Sequence, residues 1–548
     1  MKKISLILSL SILFAGSLQT VSAVNDTTAK KAKKLVAIEG APANWFNLDL
    51  TNDKVRGIST ERAYTELLKD KKSTTIIVAV IDSGTEIDHE DLKDKIWVNE
   101  KEIPNNGKDD DNNGYIDDIN GWDFIGGKDG KDVSRDSYEV TREYVRLTQK
   151  YKGQDTDKLP EKEKVYFKKI STIFEEKSLE AKTQFMGFTM QYDAFKKAEN
   201  AIKKYLKKDD FTPEEMQAIE TEDKDIIKSK QLLARMYTAG LTSKVFEEYK
   251  DQMEGAAKYG YNTEFNPRTI VGDDYSNLLE KGYGNNEVEG PAAQHGTHVA
   301  GIIGANRKNN IGIKGVADNV KLMILRVVPD GDERDKDIAN AIIYATDKGA
   351  RVVNMSFGKS TSPQKARIDE AVKYAEQKGV LLVHAAGNDA KDVDTEDNYP
   401  TKVFLDNKSA SNWIEVGASD WGDDKKFVAD FSNYGKKIVD VFAPGVDIYA
   451  TVPNQQYENL SGTSMASPVV AGAAALLLSY FPHLNAIQVK DILLKSSIKY
   501  PTTVVNMPGG EGKTVAFGDL SISAGIINVY EAVKLAKKVK AKKTKAGK

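Results

Sequence analysis

The stretch Thr75-Ile76-Ile77-Val78-Ala79-Val80-Ile81-Asp82 decides the fold. An unbroken apolar run with no polar face is what a strand covered on both sides requires, and such strands belong to parallel sheets sandwiched between helices. The run ends on a carboxylate. Catalytic and ligand-binding groups collect at the carboxyl ends of parallel strands, so Asp82, followed by Ser83 and Gly84, reads as a functional acid delivered by a strand end.

Two further stretches complete the pattern: His295-Gly296-Thr297-His298-Val299-Ala300-Gly301 and Gly462-Thr463-Ser464-Met465-Ala466-Ser467-Pro468. Small residues crowd His295 and Ser464, and each leads an apolar run of helical character, Val299 to Ala305 and Met465 to Leu478. Both residues are therefore expected at helix N-termini, where free N–H groups favour developing negative charge. A serine hydroxyl is a poor nucleophile at neutral pH. It needs an imidazole to take its proton and a carboxylate to hold that imidazole in the right tautomer, and Asp82, His295 and Ser464 offer all three parts.

These motifs, in the order Asp, His, Ser, resemble those of the subtilisin-like serine proteases, the subtilase family, whose known order this is. The resemblance implies an α/β fold with a doubly wound, mostly parallel sheet, and a serine endopeptidase with protein or peptide substrates. It makes His295 the base and His298 a structural neighbour on the next helical turn. His89, His384 and His483 have no matching context and read as structural histidines. Val380-Leu381-Leu382-Val383-His384 is strand-like and runs into Ala385-Ala386-Gly387-Asn388, which puts Asn388 where the family has its oxyanion-hole asparagine, with the Ser464 N–H as partner donor. The plain alternative is an asparagine in a strand-to-loop turn. By the same resemblance Ser356, Phe357 and Gly358 line the substrate cleft and pair an extended peptide through their backbone. Lys359 follows where such proteins usually carry glycine, which puts a wide primary pocket in doubt: at the rim it would disfavour basic side chains, in solvent it would not.

The chain has 548 residues, enough for a catalytic domain of subtilase size and a substantial extra module. Its 78 basic and 81 acidic residues nearly balance, so nothing points to nucleic acid. The absence of cysteine excludes disulfides, a thiolate nucleophile and thiolate metal sites. Lys2 and Lys3, the apolar run Ile4 to Gly16 and Val21-Ser22-Ala23 have the order of a secretory signal peptide cleaved after Ala23. That run is too short to span a bilayer comfortably, no later segment reads as transmembrane, and the mature protein is expected to be secreted or periplasmic.

Between Ile103 and Trp122 lies an acidic loop. Asp109, Asp111 and Asn113, then Gly114 for a sharp turn, then Asp117, match the opening positions of a calcium loop, whereas Asn120 stands where the closing glutamate belongs. Calcium, in a structural role, is the expected cofactor, since oxygen ligands suit a hard cation and nothing here suits zinc. A solvated Asx-rich turn is the alternative.

About 210 residues separate Asp82 from His295, far more than in small subtilases. Most of the excess is charged and helical in pattern. Val165, Tyr166, Ile170, Ile173 and Phe174 recur at helical spacing, and Thr212-Pro213-Glu214-Glu215 is a helix start with a capping box. Apolar clusters such as Phe185, Met186, Phe188 and Met190 imply helices that pack together. The expected organisation is a signal peptide (1–23), a lead-in (24–72) with a helix from Ser59 to Lys69, a first catalytic part with the acidic loop (73–136), an all-helical insertion (137–265), a second catalytic part (266–533) and a lysine-rich tail (534–548). The insertion fits two readings equally, a surface that caps the cleft or meets a partner or substrate, and a solvated decoration with no role in recognition. Strand and helix alternate through the second catalytic part, with strands at Val320–Val327, Arg351–Met355, Trp413–Gly417 and Ile438–Phe442. Two functions fit: an exported serine endopeptidase, or a catalytically silent binding protein that uses the helical insertion. Four intact catalytic residues favour the first.

Overall fold

In the computed structural model the described residues are 41–422 and 425–540; the expected signal peptide, the start of the lead-in and residues 541–548 of the tail lie outside them. In chain order the strands are β1 (Ile76–Asp82), β2 (Gly121–Asp123), β3 (Val320–Arg326), β4 (Val352–Met355), β5 (Leu381–Ala385), β6 (Trp413–Ser419) and β7 (Val441–Pro444), then β8 (Ile448–Val452), β9 (Gln456–Leu460), β10 (Ile498–Lys499), β11 (Val504–Asn506), β12 (Thr514–Ala516) and β13 (Gly525–Ile526). Nine of them form one sheet in the order β10-β13-β7-β6-β5-β4-β1-β3-β2, while β8 and β9, and β11 and β12, make separate hairpins. Neighbours in the large sheet are parallel except β10 and β13.

The apolar run of β1 is explained by its two covered faces. Val78 and Val80 belong to one core, Ala79 and Ile81 to the other, and β3 repeats the alternation with Leu322 and Ile324 against Met323 and Leu325. The Gln294–Gly304 and Thr463–Tyr480 helices supply Val299, Ile302, Val469 and Leu477 to the first core. The Asp335–Asp347 and Lys365–Lys378 helices supply Ile338, Ile342, Ile368 and Val372 to the second. The Thr463–Tyr480 helix is long and apolar enough to cross a membrane, but it is buried inside the fold, which is why it is apolar all round.

The lead-in is less polar in its packing than its composition suggests. Trp45 and Phe46 are fully buried in the first core, and Trp45 Nε1 donates to Val446 O at 3.1 Å. The helix expected from Ser59 to Lys69 is a short α-turn, Thr60–Arg62, that widens into a π-helix over Ala63–Leu68.

Residues Val140–Phe265 form a compact unit of their own. Its spine is a 46-residue helix, Glu161–Leu206, on which Phe174, Ala181, Phe188, Phe195 and Ile202 recur at heptad spacing and are buried. Phe188, Phe195 and Ile202 pack with Leu233 and Met236 of the Lys224–Thr238 helix and Phe246 of the Ser243–Glu254 helix. Thr212 and Glu215 form the anticipated capping box, with proline at the first helical position. Met186 and Met190 do not join this core: they are 64% and 71% exposed, and Val165 is 56% exposed. Their positions fall between the heptad residues and so on the opposite face of the long helix. The unit closes on itself, because Thr141 Oγ1 donates to Gly260 O at 2.7 Å and brings its entry and exit together.

Candidate active site

Asp82 is the last residue of β1, 1% exposed, and its Oδ1 accepts from Ser83 N at 2.8 Å and from His295 Nδ1 at 2.7 Å. With its proton on Nδ1, His295 turns a free Nε2 lone pair outward, which is the tautomer a base requires. His295 is the second residue of its helix and its side chain is 38% exposed. Burial works most strongly against a charged imidazole here, but the charge and hydrogen bond of Asp82 outweigh it and hold His295 above the ordinary histidine value. Only glycine can follow: a Cβ on Gly296 would lie 2.1 Å from Gly84 O and 3.3 Å from Asp82 Cβ.

Ser464 is likewise the second residue of its helix. Its Oγ donates to Ser356 O at 3.0 Å, and Ser356 Oγ donates back to Ser464 O at 2.9 Å. Pro468 explains the second bond. It has no N–H to give to the carbonyl four residues back, so the Ser464 carbonyl finds its donor in Ser356. Among the described residues no hydrogen bond joins Ser464 Oγ to His295. The hydroxyl rests on the Ser356 carbonyl instead, and catalytic contacts in unliganded sites are often long or poorly aligned.

Asn388 follows β5 by three residues. Its Oδ1 accepts from Thr463 N at 2.8 Å and from Thr463 Oγ1 at 2.9 Å, which fixes the amide so that Nδ2 is the group left to donate. An ideal Cβ built on Gly462 would lie 3.5 Å from Asn388 Nδ2 and 3.5 Å from Ser464 N. The amide nitrogens of Asn388 and Ser464 thus lie close to one point beside the serine, a placement suited to two donors for an oxyanion.

Ser356, Phe357 and Gly358 continue from the end of β4. Ser356 and Phe357 are buried and Gly358 is exposed. Among the described residues the Gly358 N–H and C=O have no hydrogen-bond partner, so they are available to an extended chain. Lys359 lies neither at a rim nor in solvent. Its side chain is fully buried, 2.8 Å from a carboxylate oxygen of Glu139 and of Asp335 and from Glu333 O. A buried ammonium needs such partners, and the neighbouring acids are what draw Lys359 inward.

His298 is buried, with Nε2 3.0 Å from both Ile448 O and Glu458 O, so it ties its helix to the β8–β9 hairpin. Burial, reinforced by the charge of His295, pushes it down to about 4. His89 donates from Nε2 to Gln456 O at 3.2 Å and accepts from Asp91 N, also a structural pattern.

At the acidic loop, Glu102 just before it and Asp109 and Asp111 within it bring carboxylate oxygens within 4.8 Å of one another. Glu102 Oε2 and Asp111 Oδ1 are buried without a hydrogen-bond partner. Buried carboxylate oxygens left unpaired fit a cation that takes oxygen ligands. Asp109 also accepts from Asn113 N at 3.0 Å and Gly114 N at 2.8 Å, which shapes the turn. Asn113 borders this group through its N–H bond to Asp109 and also donates to Asp118 and accepts from Tyr115 N, while Asp117 accepts from Asn106 N and Gly107 N. Glu102 escaped a template read forward from Asp109 because it precedes the loop. Thr463 and Gly462 were visible only as small residues beside the serine.

A family model described as the subtilase family matches residues 73–519. Over 210 residues the chain is 42% identical to a thermophilic serine proteinase of Bacillus sp. (strain AK1), an alignment covering 38% of this chain and 48% of that protein. It is 42% identical over 186 residues to thermitase of Thermoactinomyces vulgaris, covering 34% of this chain and 61% of that one. It is 41% identical over 201 residues to subtilisin DY of Bacillus licheniformis, covering 36% and 68%. The chain thus spans between 48% and 61% of the length of the first two relatives.

Proposed function

From the premise that this chain belongs to the subtilase family, we propose that it is an exported serine endopeptidase acting through Asp82, His295 and Ser464. The observation that carries the reading is the Asp82–His295 hydrogen bond at 2.7 Å, which leaves Nε2 free at the mouth of a site that also holds a helix N-terminal serine. In this reading Ser464 Oγ leaves the Ser356 carbonyl, gives its proton to His295 Nε2 and attacks the scissile carbonyl. Asp82 stabilises the imidazolium that forms, and Asn388 Nδ2 with the Ser464 N–H meets the oxyanion. His295 then protonates the leaving amine, and water repeats the sequence to release the acyl group. Ser356, Phe357 and Gly358 hold the peptide as an added strand.

Calcium belongs to the same reading as a structural ion, held by Glu102, Asp109 and Asp111, where it supplies positive charge that pins the loop and takes no part in the chemistry. The N-terminal 23 residues act as the export signal. The helical unit is an insertion between the parts of the catalytic fold that carry Asp82 and His295, and is the surface assigned to partner or substrate contact.

The test is labelling of the purified mature protein with a fluorophosphonate probe, beside Ser464→Ala and with or without a calcium chelator. The expected result is labelling that disappears in Ser464→Ala. A folded, calcium-loaded wild type that does not label would overturn the reading.

A further inference from the structure

Behind the Ser356–Gly358 segment lies a second histidine–carboxylate pair that the reaction above leaves unused. His384 on β5 is fully buried and stands in register with Glu415 on β6. Its Nδ1 is 2.9 Å from Glu415 Oε1, and its Nε2 is 2.9 Å from Phe357 O. Glu415, 2% exposed, uses its other oxygen to accept from Trp413 Nε1 at 2.7 Å. The imidazole is walled by the Phe357 ring at 6.3 Å, edge-on, and the Trp413 indole at 5.3 Å.

A carbonyl oxygen only accepts, so Nε2 carries a hydrogen. The Nδ1–Oε1 line then needs a proton of its own, since otherwise two lone pairs would face each other in a buried site. Every polar atom of the chain Trp413–Glu415–His384–Phe357 is then satisfied, the condition under which a buried network rigidifies what it touches. It ends on the carbonyl between two functional peptide groups. Ser356 O receives the nucleophile's hydroxyl, and Gly358 has the free N–H and C=O. The His384–Phe357 O bond thus fixes the peptide that lies between Ser356, whose carbonyl holds the Ser464 hydroxyl, and Gly358.

We infer that His384 and Glu415 are positioning residues that hold the peptide-binding segment in register with Ser464, so that an extended substrate is paired and presented in one geometry. The inference rests on the serine endopeptidase reading and deepens it. Nothing in the pair touches the reacting atoms; it acts through Phe357.

Two readouts separate this role from general destabilisation: the rate of labelling by a small fluorophosphonate, which needs only the triad and oxyanion donors, and kcat/KM on an extended fluorogenic peptide. In His384→Leu and Glu415→Ala the peptide readout is expected to fall about tenfold to a hundredfold further than labelling, the scale on which misplacement of a substrate acts. Glu415→Gln is expected to recover most of the loss seen in Glu415→Ala, because its amide N–H reaches Nδ1 while its carbonyl still accepts from Trp413. Parallel losses in both readouts, or no loss, would overturn the inference. Nitrogen-15 spectra of the wild-type histidines test it without any variant or activity: His384 is expected to show a protonated Nε2, and an unprotonated one would overturn it. Failure of the wild type to label would instead remove the endopeptidase reading.

Discussion

Gly462 is the residue on which the proposed oxyanion site turns. A methyl group there would sit 3.5 Å from both Asn388 Nδ2 and Ser464 N, an ordinary packing distance, so Gly462→Ala should fold while filling the space between the two donors. Fluorophosphonate labelling is expected to slow by about 10²- to 10³-fold, the scale of losing one oxyanion donor, with the thermal midpoint nearly unchanged. A variant labelling at the wild-type rate would place the oxyanion elsewhere. At this scale the sequence is most legible where chemistry narrows the choice. Few side chains can act as Asp82, His295 and Ser464 are read to act, and each is flagged by its own neighbours. Thr463, Glu102 and the His384–Glu415 pair were illegible because their roles rest on contacts across space, and His384 looks like any buried histidine until Phe357 O is seen opposite it.

Elements were legible in proportion to how strictly burial constrains them. The strand β1 and the Thr463–Tyr480 helix are covered on all sides, and their apolar runs can be read directly. The π-helix at Ala63–Leu68 and the outward turn of Met186 and Met190 were not legible, since hydrophobic spacing does not reveal which face meets a partner. The tie between the Gln294–Gly304 helix and the β8–β9 hairpin makes a testable demand on pH. His298 is pushed down to about 4 in the folded protein, against an unfolded value of about 6.5. A depressed histidine contributes stability that is fully present above the unfolded value and is lost as pH falls toward the folded one. The unfolding free energy measured by urea titration is therefore expected to fall between about pH 6.5 and 4, by an amount on the order of 3 kcal/mol for this residue. His298→Gln should show a shallower drop over that window; equal slopes would show that other groups govern acid lability.

At the scale of the molecule, both cores of the sheet are built from the catalytic body's own residues, and the core of the helical unit from its own. Replacing residues 141–260 by a short Gly-Ser loop is therefore expected to leave a folded protein whose Ser464 still labels within a few-fold of the wild-type rate. Loss of soluble expression or of labelling would show that the catalytic body depends on the unit. Charge and helical spacing predict packed helices here, whereas the closure of the unit was not legible, because Thr141 and Gly260 carry no signal of their pairing. That closure bears on how the chain folds as it is made. β1 is synthesised early but pairs with strands that come much later, Ile76 opposite Val320 and Val78 opposite Val352. At about 5–20 residues per second, roughly 3–12 s pass between Gly260 and Val320. A unit whose ends have met by then shortens the tether between β1 and its partners by its whole length, so the sheet zips across a much smaller loop than the sequence spells out. In free energy that is about 0.6 kcal/mol per halving of loop length: the wait of the bare apolar strand is set by synthesis of its partners, and the closed unit eases the search that follows.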